Sequence, residues 1–304
     1  MNSVMLAFNK PYTLEGLFTT HPHAKEGWII QPKYDGIRVH TKDGKLLSRT
    51  DKPIPNTHIQ SKFQRVCAQL HSNAVELDGE LVLYHEADCR HLTFNEIQSV
   101  VMSDDEVWPV GTVPRIYAFD VLHLPKLPFY QRFYDALAAT VYNLRSQFVV
   151  PSLSWACWTA EELARKHEEL VGYGYEGSII RSASGLYKRG RSTYNEGYLL
   201  KWVDWVTEEA TLIRCEEGVE NADTSCMRKE NLIPSGTLGA MVLCSQKFGT
   251  FNVGSGFTQA ERAAYWTMWL AGKLKGETVT FKYRPGHMKD KPQAIFVGIR
   301  KDLK

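Results

Sequence analysis

The sequence predicts an α+β protein in two parts: a strand-rich first part with helices set between its strands, and an all-β second part. Three observations predict this. At 304 residues the chain is about two ordinary domains long. Up to about residue 204, short apolar or alternating runs bounded by Gly, Pro, Asn and Asp recur, with helix-period segments between them. Beyond that point, five short strands and one capped helix occupy roughly 100 residues, the size and content of an OB-fold barrel. The composition changes across 202–207, which divides the chain into domains at 1–203 and 204–304.

The first part reads as follows. Residues 1–26 carry little pattern beyond Pro and Gly punctuation, and leave no room for a separate domain before Lys33. An apolar run, Trp28 to Ile30, leads into Gln31-Pro32-Lys33-Tyr34-Asp35-Gly36-Ile37-Arg38, and Ile37 and Val39 alternate after it. That pattern predicts a strand, a tight turn on Asp35-Gly36 and a second strand, a hairpin that holds Lys33 at the lip of a sheet. A strand follows at 45–50 and a helix at 57–70. Residues 74–83 read as two apolar strands about an Asp78-Gly79 bend, 94–101 as a short helix, and 115–122 as a dense strand. Over 129–145, apolar spacing at Phe133, Leu137, Val141 and Leu144 predicts a helix. Thr159 with Glu162 is a capping box that opens the next helix, which ends at Gly172 or Gly174. Strands at 177–181 and 198–203 complete this part. The second part has strands at 210–215, 240–245, 248–253, 277–283 and 294–299, with a helix over 258–270 capped by Thr258 and Glu261.

Composition excludes some classes and leaves others open. Hydrophobic content of 43% is enough for real cores, and the net charge of +2 says little about partners. The local clusters Lys188-Arg189-Gly190-Arg191 and Lys282-Tyr283-Arg284 are basic, with aromatics near them. No apolar run approaches the ~20 residues of a membrane span, and the N-terminus lacks the basic-then-apolar pattern of a secretory signal. The six cysteines include no C-x-x-C pair, which argues against a zinc ribbon and fits a reducing compartment. A cytoplasmic, monomeric protein without a membrane partner is the expectation.

Lys33 carries the first chemical suggestion. A lysine is a poor nucleophile near its usual pKa of ~10.4, and nearby positive charge or desolvation favours the free amine. Such an amine can attack phosphorus and carry a nucleotide as a phosphoramidate. An isolated K-x-D-G-x-R is equally a hairpin with an exposed lysine, so the rest of the chain must decide. Two nucleotide-binding patterns do not help. Gly172-x-Gly174-x-x-Gly177 follows a helix and precedes a strand, the reverse of the dinucleotide motif. Gly185-x-x-x-x-Gly190-Arg191-Ser192 has arginine where a P-loop has lysine, and no helix follows.

An ordered series of segments remains: Lys33-Tyr-Asp-Gly-Ile-Arg38, Ser48-Arg49, Leu77-Asp-Gly-Glu80-Leu81, Ile116-Tyr-Ala-Phe119-Asp120, Tyr175-Glu176-Gly177-Ser-Ile-Ile-Arg181 and Leu199-Leu200-Lys201. The series resembles the covalent nucleotidyltransferase superfamily of DNA ligases and mRNA capping enzymes, and most of all the minimal virus-encoded ATP-dependent DNA ligases. The resemblance implies an α+β nucleotidyltransferase (adenylation) domain with antiparallel sheets, followed by an OB-fold domain. It implies Lys33 as the adenylated nucleophile and Lys201 as the α-phosphate contact. It implies that Gln31, Arg38, Glu80 and Phe119 bind the nucleotide, Phe119 by stacking on the base. Glu176, with Glu80, would bind Mg²⁺ or Mn²⁺, hard cations suited to carboxylate oxygens. Arg49 and Arg191 would meet the 5′-phosphate of a nick, where arginine's planar fork suits phosphate. Lys188, Arg189, Arg228 and Lys229 would contact DNA, and Arg300 and Asp302 would orient the leaving pyrophosphate.

The sequence departs from the family at two places. The usual K-x-K reads Lys201-Trp202-Val203, and the terminal R-x-D-K reads Arg300-Lys301-Asp302-Leu303 with a lysine at 304. The polar stretch 216–236 reads as a structureless insertion. In the similar viral ligases this position carries a latch that becomes ordered around DNA; a solvated loop of no consequence is the alternative, because its acidic half repels phosphate. The expected activity is ATP-dependent sealing of nicked duplex DNA through lysyl-AMP and adenylated DNA. An mRNA guanylyltransferase, an RNA ligase or a nucleic-acid-binding module that has lost its chemistry are the other readings.

Overall fold

In the computed structural model, residues 4–8, 12–103, 108–222, 231–284 and 291–300 are described here. The chain divides into two compact units, Met1–Val203 and Asp204–Lys304. No described helix is long and apolar enough to cross a membrane.

In chain order the first unit has β1 (Met5–Leu6), α1 (Leu14–Thr19), β2 (Trp28–Pro32), β3 (Ile37–Lys42), β4 (Lys45–Ser48), α2 (Thr57–Ser72), β5 (Leu77–His85), β6 (Arg90–His91), α3 (Phe94–Val101) and β7 (Thr112–Val121). Then come a π-helical segment (Gln131–Leu137), α4 (Ala138–Leu144), β8 (Val149–Pro151), β9 (Trp155–Cys157), α5 (Ala160–Gly172), β10 (Ser178–Ser182), β11 (Gly190–Arg191) and β12 (Leu200–Trp202). They form two principal sheets. One has the order β12-β10-β2-β9 and is antiparallel throughout. The other has the order β4-β3-β5-β7-β8, antiparallel except for the β7–β8 pair, with β6 on the end of β5. The short β1 pairs in parallel with β11.

Each sheet buries one face against helices. Ile59, Phe63 and Leu70 of α2 and Ile97 of α3 pack with Leu81, Leu83 and Ile116 in the larger core. Leu17 of α1 and Leu163 and Leu170 of α5 cover Trp28, Ile30 and Ile180 of the other sheet. Fully burying such side chains is worth about 1.5–3 kcal/mol each, so the helical layers hold both sheets firm while their other faces remain available for a site.

The second unit comprises β13 (Val206–Asn221), β14 (Leu232–Ser245), β15 (Gly249–Val253), α6 (Gln259–Leu270), β16 (Thr278–Tyr283) and β17 (Ile295–Ile299). Its sheet runs β15-β14-β13-β16-β17 around Leu212, Met241, Phe251, Val279 and Phe281. Thr258 and Glu261 form the expected capping box on α6. The two edges meet only in a bridge between Ser255 and Ile295, so among the described residues the OB-like sheet is curled rather than closed by a full ladder.

Four sequence expectations need correction. The Lys33 segment is not a hairpin, because β2 and β3 belong to different sheets and Lys33–Gly36 crosses between them. Gly36 is required by close approach: a Cβ there would lie 2.3 Å from the Leu81 carbonyl oxygen. Residues 77–85 form one strand, with the irregularity at Asp78/Gly79 taken up as a bulge against β7 and not as a bend. The 129–145 helix is not α-helical throughout but π-helical over Gln131–Leu137, where Arg132 and Phe133 are both buried. Residues 216–222 and 231–236 largely continue the β13–β14 ribbon, with Val219 opposite Pro234 and Asn221 opposite Leu232. A ribbon extending past the core has no buried face, so it shows no apolar alternation for a sequence reading to detect. Residues 223–230, with Arg228 and Lys229, lie outside the described residues.

Candidate active site

The two sheets of the first unit enclose a cavity of roughly 250 Å³. That volume suits a small ligand and not a duplex. Lys33 lies where three strand ends converge. Its N–H donates to the Gly177 carbonyl (2.9 Å), and its own carbonyl accepts from the Glu176 N–H (3.2 Å). Gly177 makes this possible, since its φ is +147° and a Cβ would lie 2.3 Å from the Trp202 carbonyl oxygen. These clamps bring the Lys33 Nζ into contact with Glu176 Oε2. Glu176 lies in the loop just before β10, and its side chain is only 4% exposed. The pair is therefore screened from water more than a surface ion pair.

The opposite wall comes from β3, β5 and β7. Arg38 faces Glu80 across the β3–β5 ladder, and His40 faces Asp78, so all four side chains share one face. Arg38 grips the fully buried Asp78 with Nε to Oδ1 (2.6 Å) and Nη2 to Oδ2 (2.7 Å). Burial works against the charge on Arg38, but the Asp78 carboxylate outweighs it and holds the guanidinium pKa above its ordinary value. The Tyr187 hydroxyl donates to Asp78 (2.7 Å) and accepts the Met5 N–H (3.0 Å), which ties the N-terminal strand to the same wall. Burial pushes the Glu80 carboxyl up to about 7, against the pull of Arg38 and Lys33.

Phe119 owes its position to the bulge. Asp78 pairs with Asp120 and Gly79 with Ala118, so Phe119 is left without a partner on β5. The Arg38 guanidinium lies 4.3 Å from its ring centroid. On the remaining side, Lys201 sits opposite Ile179 in β12 and donates its N–H to the Phe8 carbonyl (3.2 Å). Its neighbour Trp202 stacks on His167 of α5 at 3.7 Å and 3°, which fixes the strand.

The sequence-predicted residues Gln31, Lys33, Arg38, Glu80, Phe119 and Lys201 thus all line one cavity, with Arg49 and Arg191 also in its lining. Gln31 is buried and donates to Ser154 Oγ (2.8 Å), and Arg191 donates to the Ala7 carbonyl (2.6 Å). Lys188 is held elsewhere, with its amine on both oxygens of Glu196 (2.6 Å each), and Arg189 is exposed outside the lining. Arg300 belongs to the second unit, paired with Glu209, and Asp302 lies outside the described residues.

Sequence reasoning missed part of the lining. Leu6 and Ala7 contribute from the N-terminal stretch that showed no pattern, and Tyr34 contributes a ring stacked on Tyr117 at 4.1 Å. It also gave no role to Arg181, which lines the cavity while its Nη1 donates to the fully buried Asp120 (2.6 Å). Burial lowers the Arg181 pKa despite that carboxylate. Arg132 binds Asp120 from the other side (2.7 and 3.1 Å). The partners are 61 and 12 residues apart, and no local spacing reports such a contact. As expected, the glycine decoy at 172–177 lies at the C-terminal end of α5, the wrong end for a pyrophosphate.

Two mostly antiparallel sheets followed by an OB-like sheet make the nucleotidyltransferase fold, and the cavity between the two sheets gathers Lys33, Phe119 and several cations. Residues 5–199 match the family described as the ATP dependent DNA ligase domain, and residues 234–300 match the DNA ligase OB-like domain. The chain belongs to the ATP dependent DNA ligase family. It is 24% identical over 202 residues to the DNA ligase of African swine fever virus (isolate Pig/Kenya/KEN-50/1950), across 64% of this chain and 46% of that protein. It thus spans about half the length of the curated relatives it matches. Among solved structures, a Lig E DNA ligase superposes with a TM-score of 0.68 at 20% identity, covering 99% of this chain and 100% of the other. The Chlorella virus DNA ligase-adenylate superposes at 0.51 with 26% identity, covering 100% and 99%.

Proposed function

We propose that this protein is an ATP-dependent DNA ligase that seals 3′-hydroxyl/5′-phosphate nicks in duplex DNA, acting as a cytoplasmic monomer. The observation that carries the reading is the Lys33–Glu176 contact at a cavity ringed by Arg38, Arg49, Arg191 and Lys201. Such a site is arranged for a nucleophilic lysine and a polyanionic substrate.

In the first step Lys33 Nζ, as the free amine, attacks the α-phosphorus of ATP. The N–P bond forms, the bond to the bridging oxygen breaks, pyrophosphate departs and the amine loses its proton. Glu176 stabilises the ammonium in the resting pair, so the pair must open before attack. Lys201 faces the charge that develops on the α-phosphate, where a fixed cation lowers the barrier. Phe119 stacks the adenine, while Gln31, Arg38 and Glu80 hold the rest of the nucleoside. The AMP then passes to the 5′-phosphate, guided by Arg49 and Arg191, and the 3′-hydroxyl displaces it. Glu176 and Glu80 form a carboxylate pair suited to Mg²⁺, which takes one or two protein carboxylates and fills its shell with phosphate oxygens and water. When bound, the ion would neutralise phosphate charge.

Incubation with labelled ATP, GTP or NAD⁺ tests the reading. The expected result is an acid-labile AMP adduct on Lys33 from ATP alone. Labelling by GTP instead would make the protein a guanylyltransferase, and no adduct from any of the three would make it a binding module.

A further inference from the structure

Arg49 lies in a tight turn at the end of β4, and that turn is tied to the nucleotide-binding wall by a pair of side chains without an assigned role. The chain reverses from Ser48 through Arg49, Thr50 and Asp51 to Lys52. The Asp51 N–H donates to the Ser48 carbonyl (3.0 Å), and the Ser48 N–H donates to the Lys52 carbonyl (2.7 Å). Asp51 closes the turn with φ at +60°, in the left-handed region that a non-glycine residue occupies at a cost. Its carboxylate reaches back to the sheet, where Oδ1 lies 3.0 Å from His40 Nε2. His40 is only 2% exposed and faces Asp78 across the β3–β5 ladder, two residues along the same strand face from Arg38. His40 also faces Leu47 of β4, the residue before Ser48.

A histidine needed only to fill this space would be replaceable by an apolar side chain at no loss. Here its ring Nε2 pairs with a carboxylate that is 40% exposed and belongs to a turn closed by a left-handed residue. The effect is to fix Arg49 relative to the wall that carries Arg38, Asp78 and Glu80. A guanidinium aligned for two parallel bonds to phosphate loses most of its advantage when its backbone can rock.

We propose that His40 and Asp51 are positioning residues for nick recognition, holding Arg49 in register with the nucleotide pocket so that it meets the 5′-phosphate. The proposal rests on the reading of Arg49 as a nick-phosphate contact.

The test uses the full-length enzyme precharged with AMP. One measurement is the concentration dependence of AMP transfer to a nick that carries a 5′-phosphate. The other is competitive inhibition of that transfer by the same nick with a 5′-hydroxyl, which offers every contact except the phosphate. The ratio of the two affinities isolates phosphate recognition, and a merely structural defect moves both together. His40→Ala and Asp51→Ala should each lower the ratio by roughly three- to tenfold, the size of one lost positioning hydrogen bond. His40→Gln, which keeps a donor near the Nε2 position, should restore most of it. Adding His40→Ala to Arg49→Ala should cost nothing further, since both act through one contact. If Arg49→Ala lowers the ratio but neither His40→Ala nor Asp51→Ala does, the positioning role is wrong. If Arg49→Ala itself leaves the ratio unchanged, the reading of Arg49 fails instead. Should His40→Ala fail to fold, Asp51→Ala at its half-exposed position decides between these outcomes.

Discussion

Lys33 and Glu176 neutralise each other in the resting site, and backbone bonds from Lys33 to Glu176 and Gly177 hold the two side by side. With Lys33 as the nucleophile of the first step, Lys33→Ala should abolish the covalent AMP adduct entirely. The same variant should still seal a nick already carrying AMP, because the last step uses no free lysine amine. A protein–AMP bond formed by Lys33→Ala would overturn the central assignment. Glu80 makes a separate prediction through its titration. Its carboxyl pKa is raised by burial from 4.5 to about 7, so the native state retains a proton that the unfolded chain releases in that interval. The unfolded state then binds fewer protons than the native one, and stability falls as pH rises from 4.5 to about 7. Glu80→Gln removes this loss. Its Tm relative to wild type should therefore climb between about pH 5 and about pH 8, by at least roughly 2 °C for a domain of this size. A gap that stays constant over the interval would show that Glu80 does not titrate in this way.

The β13–β14 ribbon runs beyond its sheet with Val219, Leu232 and Ile233 exposed on its arms. Apolar side chains displayed on a ribbon with no core beneath it suit a surface that meets a partner, and nicked duplex is the partner proposed here. Replacing 219–233 with a short Gly/Ser linker should leave lysine adenylation nearly intact. It should weaken nick binding by roughly tenfold or more, with a shallower salt dependence if cationic contacts to phosphate go with it. Equal nick affinity of the two proteins across a salt titration would leave the ribbon without a DNA role. This element also marks where the sequence stopped being legible. Helices α2 and α3 are readable from local apolar stripes, and α6 from its capping box. The strands around Lys33, Glu80, Phe119 and Lys201 were readable because their alternation is local. The crossing of Lys33–Gly36 between sheets was not, since a strand's pattern says which face is buried but not which sheet it joins. The same limit hid the bulge that frees Phe119, and the Arg132–Asp120–Arg181 cluster, whose partners meet only after folding.

Across the whole molecule the two units divide the chemistry unequally. Every lining residue of the nucleotide cavity among those described belongs to the first unit. The second unit holds Arg300 just past β17, where its N–H donates to the Thr278 carbonyl (2.9 Å) and its guanidinium pairs with Glu209. That side chain is 38% exposed, and a surface ion pair of this kind contributes about 0–1 kcal/mol. We propose that Arg300 serves the pyrophosphate that leaves when Lys33 is adenylated. Pyrophosphate leaves in that step alone, which makes the prediction selective. Arg300→Ala should slow adenylation from ATP by roughly tenfold or more, in line with losing a fixed cation at a developing charge. Sealing of a pre-adenylated nick should stay near the wild-type rate. Glu209→Ala serves as the control, because it breaks the same ion pair while keeping the arginine. If Glu209→Ala slows adenylation as much as Arg300→Ala, the defect lies in the second unit's own structure. If Arg300→Ala slows both steps alike, Arg300 acts on the DNA and not on the leaving group.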